Sequence, residues 1–315
     1  PEPSIMKVLQ ESIMVPENYK YAINELPEMK SAIHDWYKNR YNVELTYDEM
    51  ICLQGSQEAL STLFLAMCDP GDIVLVPDPY YPIFSDGPKI AGAKVEYMPL
   101  LQENNYVIQL DQIDEEIAKK AKIMIVSYPN NPTCAIAPDS FYEELIQFAK
   151  KYDIVVLHDN AYSELVFDGK VGKSFLSFEG AKEIGIELNS FSKTYGMAGA
   201  RLGVCVGNKE VIDCYNTLKS NMDYGIFLPI QYAGIEALRH GGASIHSTCQ
   251  AYQDRRDAIC EAFNEVGWHI DKSPATMFVW ARIPDQYEDS YAFTKDLMEK
   301  TGVVVTPGQA FGVHG

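Results

Sequence analysis

Gly185-Ile186-Glu187-Leu188-Asn189-Ser190-Phe191-Ser192-Lys193-Thr194-Tyr195-Gly196, with Arg201 eight residues past the lysine, is the stretch on which the fold turns. A β-prone run over 185–188 leads into hydroxyl residues and then a glycine-rich loop. That order predicts Lys193 just beyond the carboxyl end of a strand, where open α/β sheets place their chemistry. An amine ringed by hydroxyls, with a guanidinium nearby, suits covalent bonding to a carbonyl compound. The arginine would hold an anionic tail on that compound. A lysine in an ordinary polar loop has the same local sequence, so the flanking segments must decide.

The chain has 315 residues, 47% hydrophobic and 22% charged, which predicts one large domain and a smaller one. Its net charge of −18 argues against a nucleic-acid or anionic-membrane partner, since like charges repel. No apolar run reaches bilayer length, and Pro1-Glu2-Pro3-Ser4 does not read as a secretory leader. The seven cysteines (52, 68, 134, 205, 214, 249, 260) form no Cys-x-x-Cys pair, and the six histidines lack ligand spacing. A cytoplasmic protein with reduced thiols and no metal is the expectation.

Apolar runs at 50–53, 73–76, 95–98, 123–126, 154–157, 186–188 and 202–206 read as strands. Helix-like patterns at 57–67, 80–91, 113–118, 140–151 and 209–221 separate them. The alternation predicts an α/β fold: a mostly parallel sheet sandwiched by helices. A long polar helix over 241–266 leads to an apolar run at 276–283, a helix near 290–300 and a strand at 303–305. Together these predict a smaller α+β domain. The expected division is 1–20 as an N-terminal part of the small domain, 21–245 as the large domain, and 246–315 as a C-terminal small domain that stops abruptly. Residues 4–12 are helical in pattern and are expected to pack on that small domain.

Five further segments fall at predicted strand ends. Gly55-Ser56-Gln57-Glu58-Ala59 opens a helix, where backbone amides and the Ser56 hydroxyl can cradle a phosphate; an ordinary N-cap is the alternative. Tyr81, before Pro82, can lie against an aromatic ring, or simply pack in its loop. Asn131, before Pro132, is biased to an extended backbone that can aim its amide into a crevice, although Asn-Asn-Pro also makes turns. Asp159 ends an apolar strand, where a carboxylate is costly unless it meets a cation or caps a helix. Tyr162 follows three residues later. Ser190 and Arg201 flank Lys193 as a second set of anion contacts, with a structural ion pair the rival role for Arg201. A protonated pyridine is such a cation, and pyridoxal phosphate (PLP) combines it with an aldehyde, a phenolic oxygen and a phosphate.

On these residues the chain resembles the class I/II aminotransferases of PLP fold type I over its whole length. Asn131-Pro132-Thr133, Asp159-x-x-Tyr162 and Ser190-x-x-Lys193 with Arg201 carry the likeness. The segments 85–92, 129–133 and 220–225 resemble the LL-diaminopimelate/aspartate aminotransferase branch. The resemblance implies Lys193 as the lysine bonded to PLP and as the base that moves the substrate's Cα proton. It implies Asp159 at the pyridine nitrogen, Asn131 and Tyr162 at the phenolic oxygen, and Tyr81 on the ring. Ser56, Gln57, Ser190 and Arg201 would hold the phosphate. It further implies a homodimer in which Tyr21, with Tyr19 the alternative, reaches across to the partner's phosphate, and amino-acid and 2-oxo-acid substrates. A carbon–sulfur β-lyase and a PLP-binding domain of a transcription regulator are the alternatives.

The sequence departs from the family at Cys134, where glycine is common, and near Glu25. The family arginine for the substrate carboxylate follows a Pro-Gly-x-x-Phe-Gly motif, here Pro307–Gly312, and the chain stops three residues later. The expectation is a partial chain that holds PLP and transaminates poorly.

Overall fold

Strands buried on both faces need continuous apolar runs, and those runs become the sheet here. The computed structural model describes residues 1–315. Its strands are β1 (Met50–Leu53), β2 (Ile73–Asp78), β3 (Lys94–Pro99), β4 (Ala121–Ser127), β5 (Val155–Asp159), β6 (Gly185–Ser190) and β7 (Gly203–Gly207). They form one seven-stranded sheet in the order β1-β7-β6-β5-β4-β2-β3. Only β7 runs against its neighbours β1 and β6; the other neighbouring pairs are parallel. Six strands therefore end at the same rim, and β7 begins there.

The helices are α1 (Pro3–Ile13), α2 (Pro27–Tyr41), α3 (Ser56–Met67), α4 (Ile83–Ile90), α5 (Glu115–Ala118), α6 (Asp139–Tyr152), α7 (Ala181–Ile184), α8 (Phe191–Thr194), α9 (Lys209–Lys219), α10 (Leu228–His240), α11 (Gly242–Glu265) and α12 (Ser290–Thr301). One apolar layer joins the sheet to α2, α6 and α10, and the second joins its other face to α3, α4 and α9.

The seven expected strands are present with small shifts at their ends. Besides the single-turn α7 and α8, two helices escaped the sequence reading. α10 buries residues on several sides, including Gln231, Ala233, Gly234 and Ile235, so no clean 3.6-residue stripe marks it. α2 was legible all the same: Met29, Ala32, Ile33, Tyr37 and Tyr41 form a buried stripe at helical spacing, between Pro27 in the first turn and a left-handed Asn42 at its close.

Two expectations about the ends of the chain fail. α1 lies along α10, with Ile5 in the main core, rather than on the C-terminal segment. The 303–305 run is not a strand, and the apolar run at 276–283 forms none either, so the C-terminal segment lacks the strand expected of an α+β unit. A strand needs a hydrogen-bonded neighbour. Val304 instead stands 73% exposed, and near 276 only Ala275 bridges, antiparallel to Val166. The C-terminal segment is held by other contacts. Arg256 of α11 grips both oxygens of Asp168 at 2.8 Å, and the Thr276 amide donates to the Leu165 carbonyl at 2.7 Å. No helix is long and apolar enough to cross a membrane.

Candidate active site

The common rim gathers most of the residues singled out above. Ser56 and Gln57 follow β1, Tyr81 follows β2, Asn131 follows β4, Asp159 ends β5, Ser190 ends β6, and Lys193 lies in α8 directly after it. Arg201 enters two residues before β7. The antiparallel direction of β7 is what brings the arginine to the same rim as the lysine.

An anion cradle is preformed between β1 and β7. Gly55 caps α3 at φ 78°, in the left-handed region. Ser56 is therefore the first helical residue, and its hydroxyl caps nothing. The Ser56 and Gln57 amides donate to no group in the chain, leaving free N–H groups at a helix start. Arg201 crosses beneath this turn, and a Cβ on Gly55 would run into its guanidinium. The guanidinium donates only to the carbonyls of Ala198 at 3.0 Å and Gln54 at 3.5 Å. No carboxylate pairs with it, so the ion-pair role considered for Arg201 is not what the structure shows. Ser190 Oγ accepts the Ser192 amide at 3.2 Å, which leaves its proton free to donate.

Asp159 lies deeper in the crevice. It is 5% exposed, and its Oδ1 has no hydrogen-bond partner. Burial raises its pKa to about 6. No helix starts at Asp159, so it serves as no helix cap. Tyr81 is half-buried, and its hydroxyl donates to Gln57 Oε1 at 3.0 Å. Burial raises its pKa; the Asp159 charge adds to that and the Arg201 charge opposes it. Tyr162 is buried, with its hydroxyl beside the Asn131 side chain and its ring 5.5 Å from Phe278. Burial pushes this phenol well up, so it stays a donor. The half-buried Lys193 amine forms no ion pair.

PLP fits this donor set. The orphaned Asp159 oxygen suits a protonated ring nitrogen. Asn131 and Tyr162 suit a phenolic oxygen, and the free amides, hydroxyls and guanidinium suit a phosphate. Tyr21 lies elsewhere: it is 78% exposed and packs on Tyr224 with ring centroids 5.4 Å apart.

The sequence reading missed a second polar cluster. His158 and Glu187 are register partners on β5 and β6, 3.1 Å apart and fully buried. Glu187 also accepts Tyr37 Oη at 3.0 Å, and Ser174 Oγ and the Phe175 amide at 2.9 Å each. The signal was available as two ionisable residues inside apolar strands. Cys134 takes φ 65° where the family often has glycine; its thiol is buried, with a pKa raised to about 11 by that burial.

The family described as aminotransferase class I and II matches residues 2–315. The LL-diaminopimelate aminotransferase of Halothermothrix orenii is 45% identical over 314 residues, covering 99% of this chain and 80% of the relative. That of Aquifex aeolicus is 40% identical over 317 residues, covering 100% of this chain and 81% of the relative. Among solved structures, substrate-bound BacF from Bacillus subtilis superposes with a TM-score of 0.96 at 38% identity, covering 99% of this chain and 80% of that one. A probable N-succinyldiaminopimelate aminotransferase from Thermus thermophilus gives 0.94 at 31%, covering 100% and 84%.

Proposed function

The chain belongs to the class I and II aminotransferases, and from that membership we propose that LL-diaminopimelate or a related dicarboxylic amino acid is its amino donor and 2-oxoglutarate its acceptor. PLP-dependent transamination is the activity of the family. The relatives named above support the donor. The observation that carries the assignment of roles is the buried Asp159 carboxylate, with its Oδ1 unpartnered, on the same rim as Lys193 and a guanidinium without an acid.

Bound at this rim, PLP supplies an electron sink for the pair left when the Cα proton departs. The protein does the rest. Arg201, Ser190, Ser56 and the amides of Ser56 and Gln57 hold the phosphate, and Tyr81 covers the ring. Asp159, ionised against the nitrogen's positive charge, keeps that nitrogen protonated; the opposite charge reverses the effect of burial on its pKa. Asn131 and Tyr162 donate to the phenolic oxygen. Lys193 would hold the aldehyde carbon and, once its amine is released, would serve as the base for the substrate's Cα proton.

The same reading makes the enzyme a homodimer in which Tyr21 reaches the other subunit's phosphate. The exposed patch of Tyr19, Tyr21, Tyr224 and Phe227 supports such an interface. Residues 21–245 are then the cofactor domain, 1–20 an N-terminal part and 246–315 the substrate-side unit. A cytoplasmic location would keep its seven free cysteines reduced.

The test is the visible spectrum of the PLP-loaded protein titrated with LL-diaminopimelate, aspartate and glutamate. Bleaching of the yellow band by LL-diaminopimelate, with a 2-oxo acid as product, is the expected result. Pyruvate and a thiol from a cysteine conjugate would mark a β-lyase instead, and a band that no amino acid changes would overturn the donor.

A further inference from the structure

The turn that presents the anion cradle is tied to a buried charge cluster that the reaction does not use. Gln54, the last residue before Gly55, has its amide bound to Glu58 Oε2 at 2.5 Å and its side-chain nitrogen bound to Asp223 Oδ2 at 3.1 Å. Its carbonyl accepts from Arg201. Glu58 and Asp223 thus fix the turn from both sides. Because Glu58 reaches back to Gln54, it leaves the Ser56 and Gln57 amides free for an anion.

Two carboxylates beside a phosphate site oppose phosphate binding. Lys219 sits between them with its side chain 5% exposed, 2.7 Å from Glu58 Oε1 and in direct contact with Asp223 Oδ2. We propose that Lys219 is a positioning residue for the cofactor phosphate: it neutralises Glu58 and Asp223, so that both can order the Gln54 turn without repelling the anion. This rests on the reading of Arg201 and Ser56 as phosphate ligands.

A lysine that only stabilised the fold would affect every ligand of the site alike; one that serves the phosphate would not. The probes are therefore PLP and pyridoxal, which share the aldehyde and ring and differ in the phosphate. Each is titrated into the apoprotein by its visible band. Lys219→Met is expected to weaken PLP about tenfold relative to pyridoxal, and Lys219→Arg to restore most of that ratio. Asp223→Asn removes a negative charge and keeps an oxygen for Gln54, giving up only the acceptor of the Gly225 amide, so it shifts the ratio about threefold the other way, toward PLP. Equal weakening of both probes, or an Asp223→Asn shift in the same direction as Lys219→Met, overturns the proposal. Asp223→Asn decides the matter by itself should Lys219→Met fail to fold. Arg201→Met separates the two readings. If it leaves the ratio unchanged, the phosphate assignment fails; if it lowers the ratio while Lys219→Met does not, only the role of Lys219 fails.

Discussion

Strands β5 and β6 carry two buried carboxylates on opposite faces of the sheet, and the protein surrounds them differently. Glu187 is saturated: a phenol, an imidazole, a hydroxyl and a backbone amide all point at it. Asp159, one register step along β5 and facing the rim, is left with a bare oxygen. A buried charge with its partners supplied is a structural tie, here fastening α2 and the 174–175 segment to the sheet. A buried charge without them costs stability that a ligand can recover. The two acids thus separate a finished face from one with an acceptor to spare.

The most severe test on the open face is Lys193→Ala. Turnover should fall at least about 10³-fold, with a melting temperature close to wild type, since the amine pairs with nothing. Retained turnover would remove the lysine from the chemistry.

On the finished face, Glu187→Ala leaves four donors without an acceptor and should cost about 3–5 kcal/mol in urea unfolding. Turnover per folded molecule should change little. A loss of activity without a loss of stability would break the contrast.

Asp159→Asn sharpens it from the other side. In the folded protein burial raises the Asp159 pKa to about 6 from the ordinary 3.8. The folded state therefore holds the proton more tightly than the unfolded one, and stability drops as pH rises between these values. At pH 7 the apoprotein variant should gain up to about 3 kcal/mol over wild type, with the gain gone below pH 4. PLP affinity should fall at the same time. A variant less stable than wild type at pH 7 would show that Asp159 already has a partner.

Gly55→Ala should have the smallest effect. Its positive φ and the guanidinium in the path of a Cβ predict about 1 kcal/mol of lost stability and several-fold weaker PLP binding.

The two acids also mark where the sequence was legible. Asp159 was readable because an acid ending an apolar run has few roles, and Lys193 and Arg201 supplied the context. Glu187 stands just as plainly in Gly185-Ile186-Glu187-Leu188, yet nothing beside it in the chain names its role. Its partners come from residues 37, 158, 174 and 175, and no local spacing brings those together. The 303–305 run shows the converse: its β propensity was real, but a strand requires a partner that propensity cannot supply.

The sequence by itself determined the seven strands, their alternation with helices and the residue types at each strand end, because burial on both faces demands apolar runs and loops accept the polar ones. It also carried the family motifs. Only the tertiary structure decided that β7 runs backwards and delivers Arg201 beside Ser56. It also freed the Ser56 hydroxyl from capping, saturated Glu187 while leaving Asp159 open, and set Lys219 between two acids under the cradle. Each of these depends on hydrogen bonds and charges between residues far apart in the chain, and their energies exist only once the sheet has brought them together.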